Sequence, residues 1–406
     1  MSGLHVCFFA DHHPRTLGGA QASVHLQRTF LERAGHTVTV VAPRNPVPGE
    51  PHAAVVELPG PPITSGQYAA VVPNARRDAQ VDCALAARGP VDLVHLQGDF
   101  WGAWLGKRYA SRHGLPLVLT THTNVDAAFR TVVGGPATEI GLRIISAWQR
   151  QATGARTRRS GYGTGYDYLS ALASGTSAVV APSSHFAARL ERAGLPVTTV
   201  IPTGVHDDDV AAARGRVPRR DDRVRLVWLS RFSAEKRPLE LIEALAGTDP
   251  RIEADLYGTG TLFERAQRTV RALGLRDRVR LHGAVEHAQA LRAIASADLL
   301  VQTSRGYETQ GMTVYEALAL GVPVVVCDPD IAGELEGSAR QWVWCAEGSG
   351  TGSLTRTLDR AARALSSGGH PPVPARLSDG LLQSTQTQRM LTVYTEAIDP
   401  VTAVAP

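Results

Sequence analysis

Short apolar runs alternate with longer amphipathic stretches along almost the whole chain. The first run, Val6-Cys7-Phe8-Phe9-Ala10, is too short for a helix and is apolar throughout, as a strand buried on both faces should be. A loop with Gly18-Gly19 follows, then a helical stretch in which Ala20, Val24, Leu26, Phe30, Leu31 and Ala34 share one broad face, with Gly35 as its stop. Strand-like runs recur at 38–42, 92–96, 117–121, 178–181 and 197–201, spaced by helical segments. From 203 to 222 the pattern breaks into a polar stretch rich in Asp and Arg, with Gly204, Gly215 and Pro218, the composition of a linker. After it the rhythm restarts, with short apolar runs at 225–230, 254–257, 279–282, 299–302 and 322–327.

Strand alternating with helix predicts α/β architecture with doubly wound parallel sheets, here two in tandem. The expected organisation is a first domain over 1–203, a linker over 204–222 and a second domain over 223–380. A C-terminal helix within 381–406 is placed to cross back to the first domain. Residues 349–375, rich in Gly, Ser, Ala and Pro, are expected to end the second sheet loosely. Ligands of such sheets sit at the C-terminal ends of the strands, so two facing domains would enclose a cleft.

Composition narrows the class. A chain of 406 residues exceeds what one hydrophobic core usually serves. Apolar residues at 43% and charged residues at 20% suit a soluble globular protein. The formal charge of +4 is modest for this length and does not call for nucleic acid as a partner. No apolar run is long enough to span a bilayer, and the N-terminus lacks the regions of a signal peptide, so the cytoplasm is the expected compartment. The cysteines Cys7, Cys83, Cys327 and Cys345 have no CxxC spacing and read as buried reduced thiols.

The richest segment for chemistry is 303–326, TSRGYETQGMTVYEALALGVPVVV. A strand ends at Gln302, a polar loop holds Glu308, and a helix begins near Gly311. Main-chain N–H groups of Thr309, Gln310, Gly311, Met312 and Thr313 at that helix start suit a phosphate. Glu308 is placed for sugar hydroxyls, and Glu316, on the helix, for ribose hydroxyls. In VWLSRFSAEKRPLELIEAL at 227–245, Arg231 leaves a strand end, Lys236 follows, and Pro238 starts a helix. Two cations there can neutralise a diphosphate leaving group where a metal otherwise would. Gly258 and Gly260 allow close approach of main chain to a ligand, and Ala284–Val285 are a candidate base pocket. The alternative reading of each feature is ordinary surface: a basic loop, a solvated glutamate, a turn.

Taken together, Gly18-Gly19, Arg231 with Lys236, Gly258 with Gly260, Gly283-Ala284-Val285 and Glu308 followed after seven residues by Glu316 resemble the retaining glycosyltransferases of family 4. The resemblance covers nearly the whole chain. It implies the GT-B fold, two Rossmann-like domains facing a central cleft, and a metal-independent transfer from a UDP- or GDP-sugar that retains anomeric configuration. Arg231 and Lys236 would bind the donor diphosphate, Glu308 the sugar and Glu316 the ribose, with Gly18-Gly19 approaching from the first domain. The ETQG wording at 308–311 is similar to members that act on cell-envelope glycolipids, which with polysaccharides and natural products makes up the expected range of hydroxyl acceptors. Such transferases use no cofactor beyond the nucleotide sugar. His122, after the run at 117–121, matches a histidine that lines the reaction centre in family members. Asn124 and Asp126 beside it, and Asp11 at the end of the first strand, are candidate acceptor ligands; Asp99 has weaker standing.

Asp328-Pro329-Asp330 has the letters of a metal-binding DxD, but its place after a late strand reads as a turn, and His12-His13 lacks partners for zinc. No metal is expected. The basic segment 143–159, with Arg143, Arg150, Arg156, Arg158 and Arg159 near Ile144, Ile145 and Trp148, is a candidate for peripheral contact with an anionic membrane, a solvated face being the commoner explanation. GYGTGYDYL at 161–169 reads as a mobile loop. Two other functions stand beside the transferase, a nucleotide-sugar epimerase on the same architecture and a non-catalytic nucleotide-binding protein. A dinucleotide-dependent dehydrogenase is disfavoured, because GGA at 18–20 is not GxGxxG and no acidic residue ends the second strand.

Overall fold

The computed structural model describes residues 3–16, 18–45, 52–63, 68–125, 165–196, 199–213, 223–335, 339–367 and 371–399. The chain divides into two compact units: Met1–Thr203 with Gln386–Pro406, and Gly204–Thr385. Asp126, the basic segment 143–159 and residues 214–222 of the expected linker lie outside the described residues.

The first unit is built on a seven-stranded parallel sheet. Its strands are β1 (His5–Ala10), β2 (Thr37–Pro43), β3 (Val55–Leu58), β6 (Leu93–Gln97), β7 (Leu117–Thr120), β8 (Ala178–Ala181) and β9 (Thr199–Val200), in the order β3-β2-β1-β6-β7-β8-β9. A two-stranded ribbon, β4 (Pro62–Ile63) with β5 (Tyr68–Ala69), stands apart. Strand periodicity sends alternate residues to opposite faces. Cys7, Phe9, Val94, Leu96 and Leu119 build one core, and Val6, Phe8, Ala10, Leu93 and Val118 the other. The C-terminal helix Gln383–Ile398 closes the second of these with Met390, Val393 and Tyr394.

The second unit repeats the plan with six parallel strands: β10 (Val224–Leu229), β11 (Ile252–Tyr257), β12 (Val279–Leu281), β13 (Leu299–Gln302), β14 (Val324–Val326) and β15 (Val343–Cys345). Their order is β12-β11-β10-β13-β14-β15. The strand order reverses between β1 and β6 in one sheet and between β10 and β13 in the other, and ligands of open α/β sheets bind at such points. Both predicted sheets are present and doubly wound.

Four local expectations change. Residues 349–375 do not trail off: Thr351–Ser366 is a helix that buries Leu354, Thr357, Leu358, Ala361 and Ala362 on one stripe. Its flanking Gly and Ser residues masked a helical period. The stretch read as a linker opens with a helix, Asp207–Ala213, whose Asp207 accepts a hydrogen bond from Ser384 N at 3.1 Å. Of the segment read as a mobile loop, Gly165–Ala173 is a helix with Tyr168 and Leu169 buried. All four cysteines are free, but only Cys7 and Cys327 are buried, Cys345 being half-buried and Cys83 exposed. Among the described residues no helix is long and apolar enough to cross a membrane.

Candidate active site

In the second unit, the loops after β10 and β13 meet at the point where strand order reverses. Lys236, in the loop after β10, donates from its ammonium to the Glu308 carboxylate in the loop after β13. Both side chains are mostly buried, at 14% and 17% exposure. Burial alone would raise the Glu308 pKa; the Lys236 charge, with help from Ser304 and Arg231, overrides it and keeps the carboxyl below its usual range. Tyr307 lies under the ammonium, its ring centroid 5.2 Å from Lys236 Nζ. Arg231 is exposed and leans on Glu235 at 3.1 Å.

This arrangement is held from below. Thr303 Oγ1 accepts from Trp228 Nε1 at 2.8 Å and donates to the Lys236 carbonyl at 2.5 Å, which ties the main chain of one loop to the strand end of the other. Arg237, left-handed at φ 53°, donates to the carbonyl of Ser349 at 2.7 Å. Asp328 caps the helix Pro329–Glu334 and accepts from Gly306 N at 2.6 Å, so Asp328-Pro329-Asp330 is the start of a helix rather than a simple turn.

Gly258 and Gly260 have a packing role. A Cβ on Gly258 would lie 1.9 Å from the Ser230 carbonyl oxygen, and one on Gly260 would lie 2.5 Å from that of Phe232. Phe232 N donates to Thr259 O at 2.8 Å, so the glycines let the loop that carries Arg231 lie flat on the end of β11. Next to them Tyr257 and His282 stack at 4.4 Å and 11°, and Gly258 N reaches Gly283 O just before Ala284 and Val285.

The helix Met312–Ala319 starts at Gly311, left-handed at φ 78°, with no side-chain cap on its first N–H groups. Glu316 lies on it almost fully buried, and burial raises its pKa, with the nearby His287 opposing. His287 Nε2 stands 3.8 Å from Glu316 Oε1. Gln302, at the end of β13, is buried with neither amide atom hydrogen-bonded.

In the first unit the polar residues gather where β1, β6 and β7 end. Asp11 accepts hydrogen bonds from the main-chain N–H groups of Asp99 (2.5 Å), Phe100 and Gly102 (both 2.8 Å). Its carboxylate therefore caps the start of the helix Trp101–His113, a structural role beside the acceptor role expected of it. Asp99 is buried and takes Thr123 N at 2.7 Å and His122 N at 3.1 Å. Burial, with the Asp11 charge beside it, pushes its pKa up to about 7. His122 is half-buried, its Nε2 2.8 Å from Gln97 Oε1. Burial, with His12 adding repulsion, holds its pKa down at about 4, so the ring is neutral at pH 7. Asn124 is buried two residues on, and Gly18 and Gly19 are exposed at the start of the helix Gly19–Arg33.

Comparison with known proteins decides the family. The profile of Glycosyltransferase Family 4 matches residues 17–209, and that of Glycosyl transferases group 1 matches 209–361. The chain belongs to glycosyltransferase family 4. Alpha-monoglucosyldiacylglycerol synthase of Streptococcus pneumoniae is 21% identical over 345 residues, 79% of this chain and 70% of that protein. GDP-mannose-dependent alpha-mannosyltransferase of Mycolicibacterium smegmatis is 28% identical over 354 residues, covering 81% and 80%. Sucrose-phosphate synthase of Thermosynechococcus elongatus superposes with a TM-score of 0.69 at 18% identity, over 99% of this chain and 100% of that one. HepE of Anabaena, in complex with UDP and glucose, gives 0.64 at 17% identity over 97% and 100%. The fold of this family 4 transferase is GT-B.

Within the transferase, Arg231, Lys236 and Glu308 come together, and Glu316 and Gly311 share the helix that follows. Reasoning from sequence gave no role to Thr303, Tyr307 and Arg237, although they lie inside the two segments it singled out, nor to His287, which lies outside both. It also passed over His95 and Gln97, although two polar residues at alternate positions of an apolar strand, LVHLQ, are a visible anomaly. Among the described residues no group of three or more His, Cys, Asp or Glu is gathered as metal ligands.

Proposed function

We propose that this glycosyltransferase moves a hexose from a nucleotide-diphosphate sugar to a hydroxyl of a cell-envelope glycolipid, polysaccharide or natural product, with retention and without a metal. The observation that carries the reading is the Lys236–Glu308 pair beside Arg231 at the reversal point of the second sheet. A buried ion pair is costly to keep unless it has work to do, and this one sets a cation for phosphate next to a carboxylate for hydroxyls. An arriving diphosphate competes with Glu308 for Lys236 and recruits Arg231, while the sugar hydroxyls donate to the carboxylate that Lys236 releases. Negative charge then develops on the leaving diphosphate against two fixed cations. The helix start at Gly311, which makes no side-chain cap hydrogen bond, supports phosphate binding by main-chain N–H groups of 311–313, and buried Glu316 gains donors from ribose hydroxyls. Ala284 and Val285 take the base edge, and His122 and Asn124 serve the acceptor side. The mannosyltransferase relative is named for GDP-mannose and HepE is bound to UDP and glucose, which supports a nucleotide-diphosphate hexose as donor.

The test is transfer by Glu308→Ala and Lys236→Ala variants, each checked for folding by circular dichroism. We expect transfer to fall about a hundredfold or more. Full activity in either variant contradicts the site assignment. Anomeric coupling constants of the product read the stereochemistry, and an inverted product contradicts retention. Turnover of the donor without acceptor would favour an epimerase instead.

A further inference from the structure

We propose that Gln97 is a positioning residue for His122, and that His95 and Tyr394 extend this positioning into a buried relay reaching the C-terminal helix. The inference rests on the reading of His122 as a residue of the transfer reaction.

The geometry is continuous. Gln97 Oε1 lies 2.8 Å from His122 Nε2, and an amide oxygen only accepts, so this bond places the ring proton on Nε2 and leaves the Nδ1 lone pair. The orientation of the Gln97 amide fits its other partners. Its Nε2 donates to Gln27 Oε1 and lies 3.2 Å from His95 Nδ1, which turns the oxygen towards His122. His95 is anchored at both nitrogens: Nδ1 lies 2.7 Å from the Tyr394 hydroxyl, and Nε2 lies 2.7 Å from Thr120 Oγ1. With His95 protonated on Nε2, the Tyr394 hydroxyl and the Gln97 amide share the one lone pair of Nδ1, and both imidazoles are neutral.

The relay is dry. His95 and Tyr394 are fully buried, Gln97 is 2% exposed, and Gln27 and Thr120 are 6% exposed. Phe8 packs edge-on against His95 at 5.4 Å, and Tyr394 does so at 5.5 Å. An apolar core at this place would be simpler, because buried polar networks help only when every member is satisfied. This network is satisfied, and it ends at the half-buried ring where β7 finishes. Among the described residues, the titratable groups around His122 include His12 after β1, His95 on β6 and Asp99 after β6, with Asp11 next to His12 and Asp99. None of them offers His122 Nε2 the fixed acceptor that Gln97 does.

The experiment combines nitrogen-15 NMR of the histidine rings with the pH profile of transfer, for wild type, Gln97→Glu, Gln97→Met and Tyr394→Phe. In wild type the His122 proton is expected on Nε2. Gln97→Glu puts a carboxylate against the ring and should raise the His122 titration, and with it the acid limb of kcat/KM, by about one pH unit or more. Gln97→Met should lose the fixed tautomer and lower kcat about tenfold, with the donor KM held within about twofold. Tyr394→Phe should move the tautomer balance in the same direction by less. An unmoved His122 titration in Gln97→Glu, together with an unchanged tautomer in folded Gln97→Met, overturns the proposal. A moved titration with unchanged transfer leaves the positioning intact and removes His122 from the reaction instead.

Discussion

Lys236 and Glu308 are 72 positions apart in sequence and share a hydrogen bond in the second unit. Their loops meet because β10 and β13 are neighbours in the sheet, and Thr303 fixes the Lys236 main chain at the junction. The pair has a thermodynamic consequence separate from catalysis. Removing one partner leaves a charge in a mostly buried place, whereas removing both does not. We expect Lys236→Met alone to cost about 2 kcal/mol and Lys236→Met with Glu308→Gln to recover about half of it. Denaturant unfolding of the double-mutant cycle checks this. The folded pKa of Glu308 is lowered, so the pair's stabilisation is complete above the unfolded value of about 4.3 and is lost as pH falls through the folded value. Additive single and double mutants would mean that the pair contributes nothing.

Gly258→Ala should damage the Arg231 loop without touching a charged group. The new methyl would meet the Ser230 carbonyl, in a conformation, φ 129°, that L-residues rarely adopt. A loss of about 2 kcal/mol or more is expected, with donor binding weakened in parallel because Ser230 precedes Arg231. Thermal unfolding and a donor titration measure the two effects.

Asp99 gives a pH signature. Its folded pKa of about 7 lies above the unfolded value of about 3.9, so between the two the folded state holds the extra proton. Its contribution is therefore fully present below the unfolded pKa and is lost as pH rises through 7. Asp99→Asn keeps an acceptor for His122 N and Thr123 N and has no charge to bury. Its stability relative to wild type should rise between pH 5 and pH 8 by about 2–3 kcal/mol. A constant difference across that range would contradict the raised pKa.

Asp11→Ala should destabilise the first unit by about 1–2 kcal/mol through the start of the helix Trp101–His113, where three N–H groups lose their acceptor. Urea unfolding of Asp11→Ala against wild type reads this directly.

Much of the architecture was legible from the rhythm of apolar runs, because both sheets are buried on both faces and their central strands are nearly continuous in Val, Leu and Phe. One edge strand of each sheet was not. Val55–Leu58 follows a Pro-rich stretch and Val343–Cys345 is three residues long, too little for a period to show. The second unit's Arg231, Lys236, Glu308 and Glu316 were readable because each follows a strand or a helix start in an ordered motif. Their supports, Thr303 and Arg237, act through main-chain contacts that no spacing reveals. The capping role of Asp11 was hidden for the same reason: a carboxylate at a strand end looks identical in sequence whether it faces a ligand or caps the next helix.

The central claim is that Arg231 and Lys236 grip the diphosphate of a nucleotide sugar. Calorimetric titration of UDP- and GDP-hexoses into wild type, Arg231→Ala and Lys236→Ala tests it most directly. The account predicts binding of one nucleotide sugar by wild type and at least a tenfold rise in Kd in each variant, from loss of a charge-assisted phosphate contact worth about 1.5–3 kcal/mol. Equal Kd values in all three proteins would contradict it.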